Sequence, residues 1–284
     1  MTISIGEAVR EGALKLGRAG ITEARFQSSS LVAHVLGRDR GFVITHADEH
    51  LEVAILKTFR ELIERRAKHE PLQYLTGHQE FFKLDFEVTP DVLIPRPETE
   101  LLVEASLELL KDSPAPVVAD IGTGTGCIAV SLLHELPNAH AIATDASPGA
   151  LGVARRNAER HGVADRLTLI ESDCFSAAPR DRKFSLIVSN PPYVSEHEFE
   201  TLQPEVRDYE PWAALVSGPD GLSTIRRLLS EAHEFLRSDG YFVFEIGFGQ
   251  SAAVTRLIDF EAWNCLAIRA DLQGIPRAVL LKKN

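Results

Sequence analysis

From residue 117 onward the chain alternates short apolar runs with stretches of helical period, and no other feature restricts the possible folds as tightly. The apolar runs fall at 117–121, 141–144, 167–171, 185–189, 241–246, 265–270 and 278–281. Between them lie segments such as "SPGALGVARRNAERHG", where Ser147 has the character of an N-cap and Pro148 stands at the first helical position. Strands separated by helices are brought side by side only by crossover connections. The pattern therefore predicts an α/β fold: a Rossmann-like, doubly wound, mostly parallel seven-stranded sheet.

The first quarter of the chain reads differently. Ser4 and Glu7 have capping-box spacing, and Ile5, Ala8, Val9, Ala13 and Leu16 then recur at helical intervals up to Gly20. Thr22 is placed to cap a second helix ending near Gly37. Asp48 is placed to cap a third, in which Leu51, Ala54, Ile55, Phe59, Leu62 and Ile63 share a face before Pro71 closes it. Residues 1–72 are thus expected to form a small helical domain. In 73–97, Phe82, Leu84, Phe86 and Val88 alternate with charged residues, which predicts a β-hairpin linker. Residues 98–284, opening with a helix over 98–111, make up the α/β domain.

With 284 residues, 44% of them hydrophobic, both parts can build a core, and no low-complexity tract argues for disorder. The formal charge of −11 weighs against a broad nucleic-acid footprint. It is unevenly spread: residues 1–75 hold 11 Lys and Arg against 10 Asp and Glu, so the acidity belongs to the remainder. Cys127, Cys174 and Cys265 are odd in number and widely spaced, which fits neither a disulfide framework nor a Cys-x-x-Cys metal site and points to a reducing, cytoplasmic setting. No signal peptide or transmembrane segment is read, so no membrane partner is expected.

In "VVADIGTGTGCIAV", Gly122, Thr123, Gly124, Thr125 and Gly126 stand between a buried strand and a helix, where a bare backbone can approach a ligand closely. Asp145 ends the following strand, the place from which an acid accepts hydrogen bonds from both hydroxyls of a ribose. A ribose-bearing cofactor follows. The Gly-x-Gly-x-Gly spacing differs from the dinucleotide fingerprint, and the loop alone leaves NAD and S-adenosylmethionine both open.

"KFSLIVSNPPYVS" decides between them. A buried strand runs directly into Asn190, which the following proline pushes towards extended geometry, while Pro191 and Pro192 present carbonyl acceptors in a stiff frame. The nitrogen of an amide or a base is a poor nucleophile because its lone pair is delocalised, but its two hydrogens are good donors. The Asn190 side-chain oxygen and the Pro191 carbonyl can take both, and Tyr193 can stack on the planar group. A sulfonium methyl already carries its leaving group, so attack needs positioning more than a base. The first and fourth strands flank the switch point of such a sheet, so this motif should face the glycine loop. Asn190, Pro191 and Tyr193 are accordingly the catalytic candidates, and hydride transfer has no use for them.

These residues resemble the amino-group methyltransferases dependent on S-adenosylmethionine. More closely, "PLQYLTGHQEFFKLDFEVTPDVLIPRPETE", "DIGTGTGCIAVSLL", "ATDASPGAL" and "VSNPPYVS", in this order, resemble the peptide chain release factor N5-glutamine methyltransferases. The resemblance implies methylation of the glutamine in the Gly-Gly-Gln loop of release factors. It implies that Gly122 to Gly126 line the methionine moiety, Asp145 the ribose, and Asp173 and Cys174 the adenine. Asn190 would be shared by cofactor and substrate, with Pro191, Pro192 and Tyr193 gripping the glutamine, and "IPRPETE" would close over the cofactor. Some relatives carry a large aromatic at the place of Cys174, so stacking on adenine would be weaker here or pass to Phe175. The N-terminal domain would recognise the protein substrate or, alternatively, cap the cofactor side.

The rival enzyme is a DNA or RNA amino-methyltransferase acting on an exocyclic base amine, which would want a basic, aromatic-rich surface; "ERRAK" is the nearest approach to one. An NAD-dependent oxidoreductase and a binding module without activity are the more distant rivals. His46 and His50 are more simply read as part of a solvated helix start than as metal ligands, and no metal is predicted. Glu245, ending an apolar strand, is either a satisfied structural carboxylate or part of the crevice.

Overall fold

The computed structural model of the protein describes residues 2–284. The chain divides into two compact units, one formed by residues up to 78 together with 203–209, the other by 79–202 and 210–284.

In the helical unit the first helix, Ile5–Arg18, carries the expected capping box: Ser4 Oγ accepts from Glu7 N at 3.2 Å, and Ser4 N donates to Glu7 Oε2 at 2.8 Å. Its buried face, including Ile5, Ala8, Val9 and Leu16, packs into a core with Leu31, Val32, Phe59 and Ile63. Each of these Val, Leu, Ile and Phe side chains contributes about 1.5–3 kcal/mol by leaving water.

Two expected caps are not used. The second helix, Ala24–Leu36, begins after Glu23 without a side-chain cap, although Gly37 ends it in the left-handed conformation as expected. Asp48 caps no helix, because it sits in a turn closed by Glu49 N donating to His46 O at 3.0 Å, and the residues after it are bonded to the start of the chain: Ile5 N donates to Glu49 O at 2.8 Å and Leu51 N to Ile3 O at 3.0 Å. The long helix, Val53–Arg66, therefore starts later, and a short helix, Arg40–Thr45, capped by Asp39, occupies the space before it. His46 stacks on Phe42, and His50 bridges to Ser4. At the end of the long helix Arg66, 1% exposed, donates to Gln27 Oε1 at 2.6 Å, to Glu70 O at 3.0 Å and to Glu205 Oε1 at 2.5 Å. Tyr209 Oη donates to Lys68 O at 2.8 Å, so both ends of the 203–209 segment are bonded into this unit.

A hairpin of β1 (His78–Phe81) and β2 (Leu84–Glu87) starts at the boundary between the two units and lies, but for His78, in the second. The turn falls on Phe82 and Lys83, with φ of 48° and 62°, so Phe82 does not share a strand face with Phe86 as the alternation predicts. Phe81 takes that place, and its ring meets Phe86 edge-on at 6.1 Å. The positive φ values at two non-glycine residues are why the turn left no sequence signal.

The main sheet contains β3 (Val117–Ile121), β4 (His140–Asp145), β5 (Leu167–Glu171), β6 (Phe184–Ser189), β7 (Leu236–Glu245), β8 (Trp263–Ala270) and β9 (Pro276–Lys283), in the order β5-β4-β3-β6-β7-β9-β8. All pairings are parallel except those of β9, which runs antiparallel to both neighbours. The predicted seven-stranded, mostly parallel sheet is the one observed. The central strands β3, β4 and β6 are almost fully buried because both faces are covered, whereas the edge strands β5 and β8 are only partly so. Val118, Leu186, Val243 and Leu280 point into one core, with the helices Glu100–Leu110 and Cys127–Glu135; Ala119, Ile187, Phe244 and Val279 point into the other, with the helix Ser223–Phe235.

The strand order reverses between β3 and β6, and that junction positions the site. Asp120 is in register with Val188, so the two chains leave the sheet side by side, and Ser189 Oγ donates to Ile121 O at 2.6 Å to hold them together.

Candidate active site

The glycine loop leaves β3 through a set of short-range bonds. Gly122 N and Thr123 N both donate to Thr144 O, at 2.8 and 2.9 Å. Gly124 N donates to Asp145 Oδ2 at 2.9 Å, while Asp145 Oδ1 accepts from Ser147 N at 2.9 Å. Gly124 and Gly126 have φ of 54° and 80°, the left-handed region in which a Cβ is strained. A Cβ at Gly126 would also come within 3.2 Å of Ala154.

Two polar residues that the sequence did not single out support this loop. Asp120 Oδ2 accepts from Thr123 Oγ1 at 2.7 Å and from Ala129 N at 3.2 Å, tying the turn to the start of the next helix. Burial, reinforced by the nearby Asp145, pushes the Asp120 carboxyl up to about 6, against the pull of these hydrogen bonds, and its Oδ1 has no partner among the described residues. Fully buried Asn157 donates to Glu87 O at 3.0 Å and to Thr125 O at 2.9 Å, joining the end of the hairpin to the glycine loop. Asp145 is also pushed up by burial, with the backbone donors of Ser147 and Gly124 opposing it.

Asn190 follows β6 at the same level. Its Nδ2 donates to Thr99 Oγ1 at 3.0 Å; Thr99 Oγ1 in turn donates to Glu245 Oε2 at 2.6 Å. Tyr193 Oη donates to the other oxygen, Glu245 Oε1, at 3.0 Å. Glu245, 1% exposed at the end of β7, is thus a fully bonded acid behind the motif, which settles its position in the fold. Burial raises its carboxyl, and the Thr99 and Tyr193 bonds work the other way. Burial and the adjacent Glu245 push the Tyr193 phenol far upward, so it remains a donor at neutral pH. Downstream, Gln250 Nε2 donates to Tyr193 O at 2.8 Å, and Val194 N donates to Leu215 O at 2.9 Å.

A cavity of about 640 Å³ opens between the two strand exits. Gly122, Thr123, Gly124, Thr125, Asp145, Asp173, Cys174, Asn190, Pro191 and Pro192 all line it. Gly126 and Tyr193 are not in its wall: Gly126 precedes the helix Cys127–Glu135, and Tyr193 packs towards Glu245 and Gly247. Phe175 does not reach the cavity either. It is 2% exposed and stacked on Phe235 at 4.7 Å, so it cannot take over a stacking role from Cys174. Asp173 is fixed beside Cys174 by Arg227, at 2.7 Å.

The remaining walls come from "IPRPETE" (Pro95 and Thr99), from 211–214 and from the helix bearing Arg227. Arg96 Nη2 donates to Glu210 Oε1 at 2.5 Å, and Ile94 N to Glu210 Oε2 at 3.3 Å, so the first two walls are bonded to each other. Burial raises the Cys174 thiol to about 11 and the Cys127 thiol to about 12, leaving both protonated at neutral pH. The cavity brings a backbone cradle and the carboxyl groups of Asp145 and Asp173 together with Asn190 and the two prolines.

Residues 7–77 match the family described as the PrmC N-terminal domain, and residues 98–205 the methyltransferase small domain. Among curated proteins, the chain is 45% identical over 265 residues to the release factor glutamine methyltransferase of Geobacter sulfurreducens, covering 93% of this chain and 91% of that one. It is 44% identical to the protein of the same name from Burkholderia pseudomallei, over 87% of this chain and 88% of that one. Among solved structures, a ribosomal protein L11 methylase from Lactobacillus delbrueckii subsp. bulgaricus shares the fold, with a TM-score of 0.51 and 20% identity over 72% of this chain and 90% of that one.

Proposed function

The chain belongs to the release factor glutamine methyltransferase family, and from that premise we propose how its residues divide the work. The reaction is transfer of a methyl group from S-adenosylmethionine to the side-chain amide nitrogen of a glutamine in a peptide chain release factor. The glutamine is the one in the Gly-Gly-Gln loop, and the reaction takes place in the cytoplasm, where translation runs. No helix among the described residues is long and apolar enough to cross a membrane.

The cavity fits the cofactor in size and in donor set. Gly122, Thr123, Gly124 and Thr125 hold the methionine moiety, with Gly126 fixing the turn. Each oxygen of Asp145 already accepts one backbone N–H, which leaves each an acceptor direction for a ribose hydroxyl. Asp173 and Cys174 face the adenine; the thiol offers apolar contact but no ring to stack. When bound, S-adenosylmethionine supplies a methyl group on a sulfonium, already a good leaving group.

Asn190 Oδ1 and the Pro191 carbonyl accept the two N–H groups of the glutamine amide. Two neutral acceptors take the amide's two hydrogens, fix the nitrogen and raise its electron density; as it attacks it gives up conjugation with the carbonyl, and loss of one of those protons relieves the positive charge that the new C–N bond places on it. Pro191 and Pro192 stiffen this frame, and Tyr193 anchors its far end through Glu245. The helical unit recognises the release factor, since a glutamine amide alone cannot distinguish one loop among all proteins.

The single observation that carries the assignment is the convergence of Asn190 and the glycine loop on one cavity at the strand-order switch. A base amine as acceptor is not favoured, because relatives that match nearly end to end act, by name, on a release factor glutamine. Mass spectrometry of a bacterial release factor incubated with the protein and S-adenosylmethionine is expected to find one added methyl group on the Gly-Gly-Gln glutamine. Methylation of DNA or RNA, with the release factor unchanged, would reverse the conclusion.

A further inference from the structure

Asn190 works as an acceptor only if its side-chain amide is turned the right way round. Rotated by half a turn, the same side chain presents an NH₂ to the substrate's NH₂, and two donors face each other. Nothing in the tetrapeptide decides between these orientations. The decision lies in the hydrogen-bond chain behind it.

Both oxygens of Glu245 receive a donor, Thr99 Oγ1 at 2.6 Å and Tyr193 Oη at 3.0 Å, as a buried carboxylate requires. A threonine hydroxyl has one hydrogen. With that hydrogen committed to Glu245, Thr99 Oγ1 can only accept from Asn190, and the group it accepts from is Nδ2, at 3.0 Å. Oδ1 is thereby turned away from Thr99. We infer that Thr99 and Glu245 are positioning residues that set the polarity of Asn190, holding its oxygen as the acceptor for the substrate amide. This inference rests on the amide-methylation reading and adds to it the means by which the acceptor is oriented.

The three residues come from separate places in the chain. Thr99 lies just before the helix Glu100–Leu110, Glu245 ends β7 and Asn190 follows β6. Thr99 is 2% exposed and Glu245 1% exposed, so water is kept from competing for the shared hydroxyl. At 2.6 Å against 3.0 Å, Thr99 to Glu245 is the shorter of the two bonds and the one that directs the other.

Wild type is assayed first, with a bacterial release factor and S-adenosylmethionine; if it leaves the glutamine unmethylated, the amide reading itself fails. Given wild-type activity, Thr99→Val keeps the shape of the side chain and removes the hydroxyl. Turnover is expected to fall roughly 10- to 100-fold, with KM for the release factor and calorimetric affinity for S-adenosylmethionine little changed. Thr99→Ser, which restores the hydroxyl, is expected to recover most of the loss. Equal turnover in the Val and Ser variants, or a loss confined to KM, overturns the positioning role while leaving the amide reading intact. If Thr99→Val does not fold, Thr99→Ala tests the same point, since it too removes the hydroxyl. Reduced kcat in a folded Thr99→Ala that Thr99→Ser does not share supports the inference, and unchanged kcat overturns it.

Discussion

The glycine loop and the Asn-Pro-Pro-Tyr segment leave adjacent strands and share one cavity, yet they are secured over very different stretches of chain. The loop is held by Asp120 to Thr123, three residues apart, and by Asp145 to Gly124, 21 apart, all within one strand–helix–strand unit. The motif is held by Asn190 to Thr99, 91 residues apart, Tyr193 to Glu245, 52 apart, and Gln250 to Tyr193, 57 apart. One half of the site is nearly self-sufficient. The other is assembled only when the domain closes, and the support on which the acceptor depends is remote from it in sequence.

The contrast yields graded expectations. Asn190→Ala removes an aimed acceptor from the assembled half and is expected to lower kcat by about 10²- to 10³-fold, the scale of losing one transition-state hydrogen-bonding group. Its melting temperature should stay close to wild type; a collapse of the fold would mean that Asn190 supports structure instead.

In the loop half, Asp120 provides a pH test. Its carboxyl is raised from 3.8 to about 6 in the folded protein, so between these values the folded form retains a proton that the unfolded chain has released. Folding stability from this group is therefore fully present below about pH 4 and lost as pH rises towards 6, a change of at most about 3 kcal/mol. Urea titrations of wild type and Asp120→Asn across this range should show wild type losing ground as pH rises. Parallel curves would place the ionised group in a more polar setting than its burial implies.

Asp145→Ala is expected to weaken S-adenosylmethionine binding by roughly 10- to 100-fold, as a hydrogen-bonding charged group is lost, with a smaller effect on kcat at saturation. Unchanged affinity by calorimetry would remove the ribose assignment. Smallest is Gly126→Ala, expected to destabilise the fold by about 1–2 kcal/mol because its φ of 80° is unfavourable for any side chain. A melting temperature equal to wild type would show that the turn relaxes freely.

The same contrast governs what could be read from the chain. The seven strands, the capping box at Ser4 and Glu7 and the glycine loop followed by Asp145 all depend on neighbours in sequence, and local pattern exposes them. The convergence of Asn190 with Gly124 was also legible, because a doubly wound sheet brings its first and fourth strands together. Thr99 was visible only as part of "IPRPETE", and Glu245 only as an acid ending an apolar strand. Their pairing across 146 residues has no local signature. Glu210, which binds Arg96 from 114 residues away, and Asn157, which joins Glu87 to Thr125, were hidden for the same reason. The helical unit misled differently: Asp48 has a good cap residue's chemistry, but it lies in a turn closed from Glu49 to His46, and main-chain bonds of Glu49 and Leu51 to Ile5 and Ile3 delay the helix to Val53.

The strand order β7-β9-β8 has a consequence for synthesis on the ribosome. β8 joins the sheet only through β9, so until Pro276–Lys283 has emerged β7 keeps an unpaired backbone edge and β8 has no strand partner. Glu245, in register with Ala278, gains its ladder neighbour only when that strand is in place.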